Sequence, residues 1–295
     1  MAGGNAEASP SMRGRVCVVT GATSGIGYVT ARELARRGAT VTLVGRNPDR
    51  TAMCVGSIRR ETGSEAVDSL LADLSSMARV RELAAAVRAR HARLDVLVNN
   101  AGAIFMTRHT TVDGYEMTFA LNHLAPFLLT NLLLDRLTAS APARIVTTAS
   151  VAHVGAKIAF DDPNYQHHLY SPWGAYGQSK LANILFTYEL ARRLEGTGVT
   201  ANAFHPGVVA SGFAHNGPLL SAALTLARPM MISPEEGAQT AIYLASSQSP
   251  AIVSVTGQYF TKGGTVPSSK ESYNAESQRR LWEISEELTG LKVPV

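Results

Sequence analysis

Tyr176 and Lys180 stand four residues apart in a stretch with helical character, so they share one helix face. A free tyrosine titrates near ~10 and is a poor base at neutral pH. A cation beside it favours the phenolate, so the pair could move a proton to or from an oxygen. Alone the spacing is a weak signal, because a half-buried ring and a surface ammonium meet it often. Ser150 lies just beyond a short apolar run, 144–148, where its hydroxyl could hydrogen-bond a substrate oxygen while Tyr176 moves the proton. Asn122 falls inside the apolar stretch Tyr115–Leu137, expected to be one long helix. A polar side chain there needs a reason, either a role at the site or a satisfied structural amide.

A second constellation stands near the start of the chain. The apolar run Val16–Thr20 leads into Gly21-Ala22-Thr23-Ser24-Gly25-Ile26-Gly27, and a helical pattern follows. A strand-to-helix turn needs glycine for positive φ and for close backbone approach to a pyrophosphate. The helix N-terminus then presents free amides and the positive end of its dipole to the phosphates. Dinucleotide binding is the expectation. At the end of the second strand a carboxylate would accept from an NAD ribose diol. The chain has Val44-Gly45-Arg46-Asn47 there, and the planar fork of Arg46 suits a 2′-phosphate. NADP(H) is therefore expected in preference to NAD(H).

The elements that must hold these residues alternate along the chain. Strands are expected at Val16–Thr20, Thr40–Val44, Ala66–Ala72, Leu94–Val98, Arg144–Thr148, Thr200–Phe204 and Gln258–Phe260. Helices fall between them. The first stops at Gly38, the second starts at Asn47-Pro48, and the third is capped by Ser75 or Ser76. Further helices are expected at Tyr115–Leu137, Ala175–Leu194, from Pro234, and at Ala275–Leu288. Such alternation builds an α/β fold, a Rossmann-type doubly wound parallel sheet of about seven strands with helices on both faces. No linker interrupts it. Residues 13–295 are read as a single domain and residues 1–12 as a disordered tail.

Composition narrows the function. Of 295 residues, 45% are apolar and 17% charged, below the usual ~25%, which fits a large core and excludes disorder. The net charge is +4, with 22 arginines against 5 lysines scattered without a long run, so no nucleic acid is expected as partner. Cys17 and Cys54 cannot form a disulfide framework, and a reducing, cytoplasmic setting fits. No apolar stretch is long enough for a membrane span. Met1–Pro10 has no apolar core, so neither signal peptide nor anchor is expected. The 8 histidines show no metal-ligand spacing, so no metal is expected, and no G-x-S-x-G nucleophile elbow occurs.

Taken together, the motifs resemble the short-chain dehydrogenase/reductase family over roughly residues 13 to 292. Thr20–Gly27 resembles its cofactor loop, Asn99-Asn100-Ala101-Gly102 its motif after strand four, and Pro206-Gly207 its motif after strand six. Asn122, Ser150, Tyr176 and Lys180 match its catalytic tetrad one by one. Residues 175–183, 205–209 and 281–288, with Val151–Asp162, are similar to the retinol dehydrogenase-like branch. The resemblance implies an alcohol/carbonyl oxidoreductase. Tyr176 would be the general acid/base and Ser150 would bind the reacting oxygen. Lys180 would lower the tyrosine pKa and hold the nicotinamide ribose, and Asn122 would support a water leading protons to solvent. Gly21, Thr23, Ser24, Gly25, Ile26 and Gly27 would contact the cofactor. So would Arg46, Asn47, Asp73, Leu74, Asn100, Ala101 and Gly102, and on the nicotinamide side Tyr176, Lys180, Pro206, Gly207, Val209 and Ser211. Ser211 stands where the family usually has threonine. The Ala- and Arg-rich composition points to a GC-rich bacterial source.

A substrate lid is expected at about 208–233. Its Phe213, Leu219, Leu220, Leu224, Leu226, Met230 and Met231 would shape a pocket for a lipophilic small molecule. Two other classes remain open at this point, a redox-neutral lyase or isomerase on the same fold and a non-catalytic NADP(H)-binding protein. The helices at 115–137 and 175–194 are apolar on more than one face. In the resembled family these two helices build a four-helix interface, which implies a homodimer or homotetramer.

Overall fold

The computed structural model of the protein describes residues 11–209 and 231–291. The expected lid and Ser211 therefore lie almost wholly outside the described residues. Eight strands form one sheet in the order β3-β2-β1-β4-β5-β6-β7-β8. They are β1 (Val16–Thr20), β2 (Thr40–Gly45), β3 (Val67–Leu71), β4 (Val96–Asn99), β5 (Ala143–Thr148), β6 (Val199–His205), β7 (Tyr259–Thr261) and β8 (Gly264–Thr265). The first seven run parallel, and β8 adds an antiparallel edge that the sequence reading did not contain. Central strands such as Val-Cys-Val-Val-Thr are apolar throughout because both of their faces are covered.

The chain winds from β1 outward to β3, then crosses back to place β4 beside β1. That reversal opens a crevice at the carboxyl ends of β1 and β4, where doubly wound sheets take their ligands. Helix α1 (Gly25–Arg36) ends two residues before the expected stop at Gly38, which takes a φ of 90°. In α2 (Pro48–Thr62) the Asn47 side chain accepts from the Arg50 amide and Gly63 closes the helix in the left-handed region. Ser76 precedes α3 (Met77–Arg90), but its hydroxyl caps nothing. The Asp113 carboxylate takes the Met77 amide instead, a partner distant in sequence.

The long helix expected at Tyr115–Leu137 is broken. It consists of α4 (Met117–Phe119), a π-helical turn at Ala120–Leu124, α5 (Ala125–Leu132) and α6 (Leu134–Ala139). Pro126 has no amide hydrogen to return to the carbonyl of Asn122, four residues earlier, so the regular ladder opens there. The expected tail took in residues 11 and 12, which are described. Met12 is buried, and its amide donates to the Arg37 carbonyl.

Helix α7 (Pro172–Arg193) starts earlier than expected, with Ser171 as cap and Pro172 in the first turn. Every residue from Ala175 to Ala191 is buried, which no single sheet face can accomplish. After α8 (Pro234–Ser246) and α9 (Pro250–Val253), the C-terminal helix α10 (Ala275–Thr289) packs on the far side of α7. Trp282 meets Phe127 edge-on at 5.0 Å and lies parallel to Phe186 at 5.9 Å, and the Arg193 guanidinium sits 4.2 Å over its ring. The face that the sequence reading assigned to a second subunit is thus covered by the chain's own C-terminus, and the homo-oligomer expectation loses that support. Among the described residues no helix is long and apolar enough to cross a membrane.

Trp282→Ala should cost about 3–5 kcal/mol of stability, the usual range for deleting a large buried aromatic. Urea unfolding read by circular dichroism measures it. A loss below 1 kcal/mol would show that α10 is a dispensable appendage.

Candidate active site

The phosphate loop is shaped by contacts that admit no side chain. Gly21 has a φ of 65°, and a Cβ there would lie 2.8 Å from the Ala101 Cα. A Cβ on Gly27 would lie 2.4 Å from the Gly21 carbonyl oxygen, and Gly25 has a φ of 53°. Ser24 makes no side-chain cap hydrogen bond, and no acid stands in the first turn of α1. The first-turn amides are left for an anion, and a bare backbone surface lies before them. A dinucleotide pyrophosphate fits this cradle on both counts. Thr20, not singled out from sequence, locks it to the neighbouring motif. Its hydroxyl accepts from the amides of Asn100 and Ala101 at 3.0 and 3.1 Å and donates to the Val98 carbonyl.

At the end of β2, Arg46 is exposed and Asn47 is committed to capping α2. One turn further, Arg50 donates from Nε to the Thr23 carbonyl at 3.1 Å. A second guanidinium is thereby tied to the glycine loop, a placement the Arg46/Arg50 spacing of four could have signalled. Asp73 accepts from the Ser75 amide and hydroxyl, which orders the turn after β3, and Leu74 is buried beside Thr20 and Ala101.

Ser150, Tyr176, Lys180 and Asn122 come together from three segments. Ser150 follows β5 and caps the turn Val151–His153, its hydroxyl accepting from the Ala152 amide. The same hydroxyl lies close enough to the Tyr176 phenol to favour its ionised form. Lys180 lies one turn further along α7, its Nζ 5.6 Å from the Tyr176 ring centre and 3.0 Å from the Thr148 carbonyl. The turn and α7 approach closely because position 177 is glycine. A Cβ there would lie 2.8 Å from the Ala152 carbonyl oxygen. Asn122 sits in the π-helical turn. Its Oδ1 accepts from the Ala103 amide, and its Nδ2 donates to the Ala103 carbonyl and the Ser179 hydroxyl. Ser179 in turn donates to the Tyr176 carbonyl. Asn122 thus braces the loop after β4 against α7, and Gly102 lies between its Oδ1 and the Lys180 ammonium.

Pro206 and Gly207 follow β6, with Gly207 at a φ of 93°. The Ile232 amide donates to the Val208 carbonyl, and Val209 forms a parallel bridge with Ile232. Val209 lies against Gly237, whose added Cβ would strike its Cγ2 at 2.6 Å.

Burial dominates the electrostatics. It pushes the Tyr176 phenol up to about 12, partly offset by the nearby Ser150 hydroxyl. It pulls the Lys180 ammonium down to about 8. The sequence argument that the lysine lowers the tyrosine names a real attraction, yet among these groups desolvation is larger. His205 at the end of β6 is also held low, by burial first and then by His153 and Lys180. Among the described residues no cluster of His, Cys, Asp or Glu could hold a metal.

The short chain dehydrogenase family model matches residues 15–218, and the chain belongs to the short-chain dehydrogenase/reductase family, which acts on alcohols and carbonyls. Within that family it is retinol dehydrogenase-like. Human retinol dehydrogenase 13 is 43% identical over 298 residues, covering 99% of this chain and 89% of its own. Among solved structures, an uncharacterized protein of Mycobacterium paratuberculosis superposes with a TM-score of 0.79 at 37% identity, over 97% of both chains. The RhlG/NADP active-site complex of Pseudomonas aeruginosa gives 0.68 at 33% identity, over 86% of this chain and 97% of that one.

The depressed Lys180 has a consequence for stability. Below pH 8 the ammonium is charged in the folded and unfolded states alike, and its burial cost is borne in full. Between about 8 and the ordinary 10.5 the unfolded chain keeps a proton the folded one sheds, so stability rises with pH. Lys180→Met should therefore stabilise the protein at pH 7, by on the order of 3 kcal/mol, and the gain should vanish above pH 10.5. Denaturant unfolding across this range tests it. A variant less stable than the parent at pH 7 would reverse the sign.

Proposed function

We propose that the protein is an NADP(H)-dependent oxidoreductase that interconverts an alcohol and a carbonyl on a lipophilic small molecule. The observation that carries the reading is the convergence of the Ser150 hydroxyl on the Tyr176 phenol, which it favours in the ionised form. Lys180 stands one turn away, and the glycine cradle lies at the same edge of the sheet. When bound, the nicotinamide supplies the hydride chemistry. The chain's own groups orient the substrate oxygen and move its proton. Ser150 donates to that oxygen, and Tyr176 gives the proton in reduction or takes it in oxidation. Lys180, held on the Thr148 carbonyl, lends positive charge beneath the phenol, and Asn122 keeps the loop after β4 in register with α7.

Support for a lipophilic substrate lies in the residues beside the polar ones. Val151 follows Ser150, Trp173 precedes Tyr176 by one turn, and Val208 follows Gly207, and all three are exposed. Exposed apolar side chains concentrated at one polar centre mark an apolar ligand surface. Human retinol dehydrogenase 13 bears the name of such a substrate, and retinaldehyde belongs in the first panel together with aliphatic aldehydes and aromatic ketones.

Support for NADP(H) lies in Arg46 and Arg50 and in the lack of a carboxylate at the end of β2. The Pseudomonas neighbour was solved with NADP. NADPH should bind tighter than NADH, and Arg46→Ala should weaken NADPH alone by roughly tenfold to a hundredfold, one charge-assisted contact. Calorimetry with both nucleotides decides it, and equal affinities would remove the proposal.

Tyr176→Phe should lower turnover by about 10²–10⁴-fold, the usual contribution of general acid–base catalysis. NADPH affinity should hardly change, since the phenol is not its main anchor. Steady-state rates on an accepted carbonyl, with nucleotide binding measured separately, form the test. Near-normal turnover would place the chemistry elsewhere, and no NADPH oxidation with any member of the panel would sink the reading as a whole.

A further inference from the structure

His153 is the last residue of the turn that Ser150 begins, and it is 1% exposed. Its Nδ1 lies 2.6 Å from the carbonyl oxygen of Ser150. Its Nε2 lies 3.0 Å from the backbone nitrogen of Ser269, which is 116 residues away along the chain. A backbone amide can only donate, so Nε2 is the acceptor and carries no hydrogen. The hydrogen must then sit on Nδ1 and be donated to the Ser150 carbonyl. Both ring nitrogens are used, and one tautomer satisfies both. Burial holds the imidazole below its ordinary pKa, so the ring stays neutral near pH 7.

The ring is clamped on other sides as well. It meets Tyr259 of β7 edge-on at 5.0 Å. The segment that supplies Ser269 is itself anchored. The Val266 amide donates to the Tyr259 carbonyl, and the Ser268 hydroxyl bonds those of Tyr188 on α7 and of Ser272. The turn 151–153 is otherwise a one-turn element whose second residue faces the Gly177 notch of α7. Lys180 acts electrostatically on His205, and His205 in turn accepts weakly from the Val151 amide.

We propose that His153 is a positioning residue for the oxygen-binding serine. It ties the Ser150 backbone to the chain segment 266–269, so that the Ser150 hydroxyl stays aimed at the substrate oxygen. The inference rests on the reading of Ser150 given above. It explains why a buried, polar, singly protonated ring stands where any small apolar residue would fill space. A displaced hydroxyl weakens a hydrogen bond that strengthens as charge develops on the reacting oxygen. Loss of the donor should therefore appear in turnover and leave substrate binding nearly alone.

The two amide side chains separate the ring's two functions. His153→Asn places an NH₂ group where Nδ1 stands and can still donate to the Ser150 carbonyl. His153→Gln reaches the Nε2 position and leaves that carbonyl without its donor. With NADPH and the best carbonyl of the panel, His153→Gln should lower kcat by roughly tenfold to a hundredfold, the cost of a misplacement on the ångström scale. KM should change less than about threefold, and His153→Asn should recover most of kcat. In a Ser150→Ala background, His153→Gln should have no further effect, because the group it positions is gone. Ser269 has a φ of −66°, a value proline shares, so Ser269→Pro deletes the amide donor, together with a buried hydroxyl that makes no hydrogen bond among the described residues, and should give a partial loss of kcat. Equal kcat for the Asn and Gln variants overturns the inference, as does a loss confined to KM or full additivity with Ser150→Ala. If Ser150→Ala itself keeps normal turnover, the reading of Ser150 fails first and is recognised by that result.

Discussion

The carbonyl oxygen of Thr148, the last residue of β5, accepts from both Lys180 Nζ and Asn183 Nδ2. One backbone acceptor at the carboxyl edge of the sheet thereby fixes the depth and rotation of α7. Tyr176 can face the Ser150 hydroxyl only while α7 keeps that rotation, because it lies one turn from the tethered Lys180 and Ser150 lies two residues past Thr148. The approach needs glycine at 177, and it needs the far side of α7 to be buried so that the helix cannot roll outward. Helix α10 supplies that burial through Trp282, and Ser285 reaches the His123 ring beside the π-helical turn. The geometry of the proposed site thus depends on a carbonyl at the top of the sheet and on the C-terminal helix.

Burying an ammonium almost completely, on a carbonyl with no carboxylate beside it among the described residues, is unfavourable for the fold. The same burial that lowers Lys180 raises Tyr176, so both groups lean towards neutrality. A proton shared among a phenol, a serine hydroxyl and a substrate oxygen moves most easily when no partner is locked in a charged state. The cost in stability and the ease of proton movement have one origin.

The glycine cradle was legible in the sequence because each glycine answers a steric demand that no other residue meets. The strands were legible because burial on both faces leaves a solid apolar run. The tetrad became legible through its order along the chain. Local patterns could not reveal what depends on distant partners. Asn122 and Pro126 stand four apart, and that spacing did carry the helix break, since the proline removes the amide that the Asn122 carbonyl would use. The covered face of α7 carried no such mark. An amphipathic helix at the C-terminus and an unpaired face on α7 read equally well as an intramolecular or an intermolecular pair. The tautomer of His153 required knowing that Ser269 lies across the turn.

The site divides labour between neighbouring residues. Ser150 is fixed by the turn it caps while Val151, next to it, is exposed. Tyr176 is held in the wall of α7 while Trp173, one turn earlier on the same helix, is exposed. Gly207 is confined against Ile232 while Val208 is exposed. Substitutions at the exposed partner reshape what the site receives without displacing the fixed one, because the fixed residue is held by backbone hydrogen bonds and glycine contacts rather than by its neighbour's side chain. A family with one chemistry and many substrates needs that separation. In this chain it is achieved within three short segments, each pairing one constrained residue with one free apolar surface.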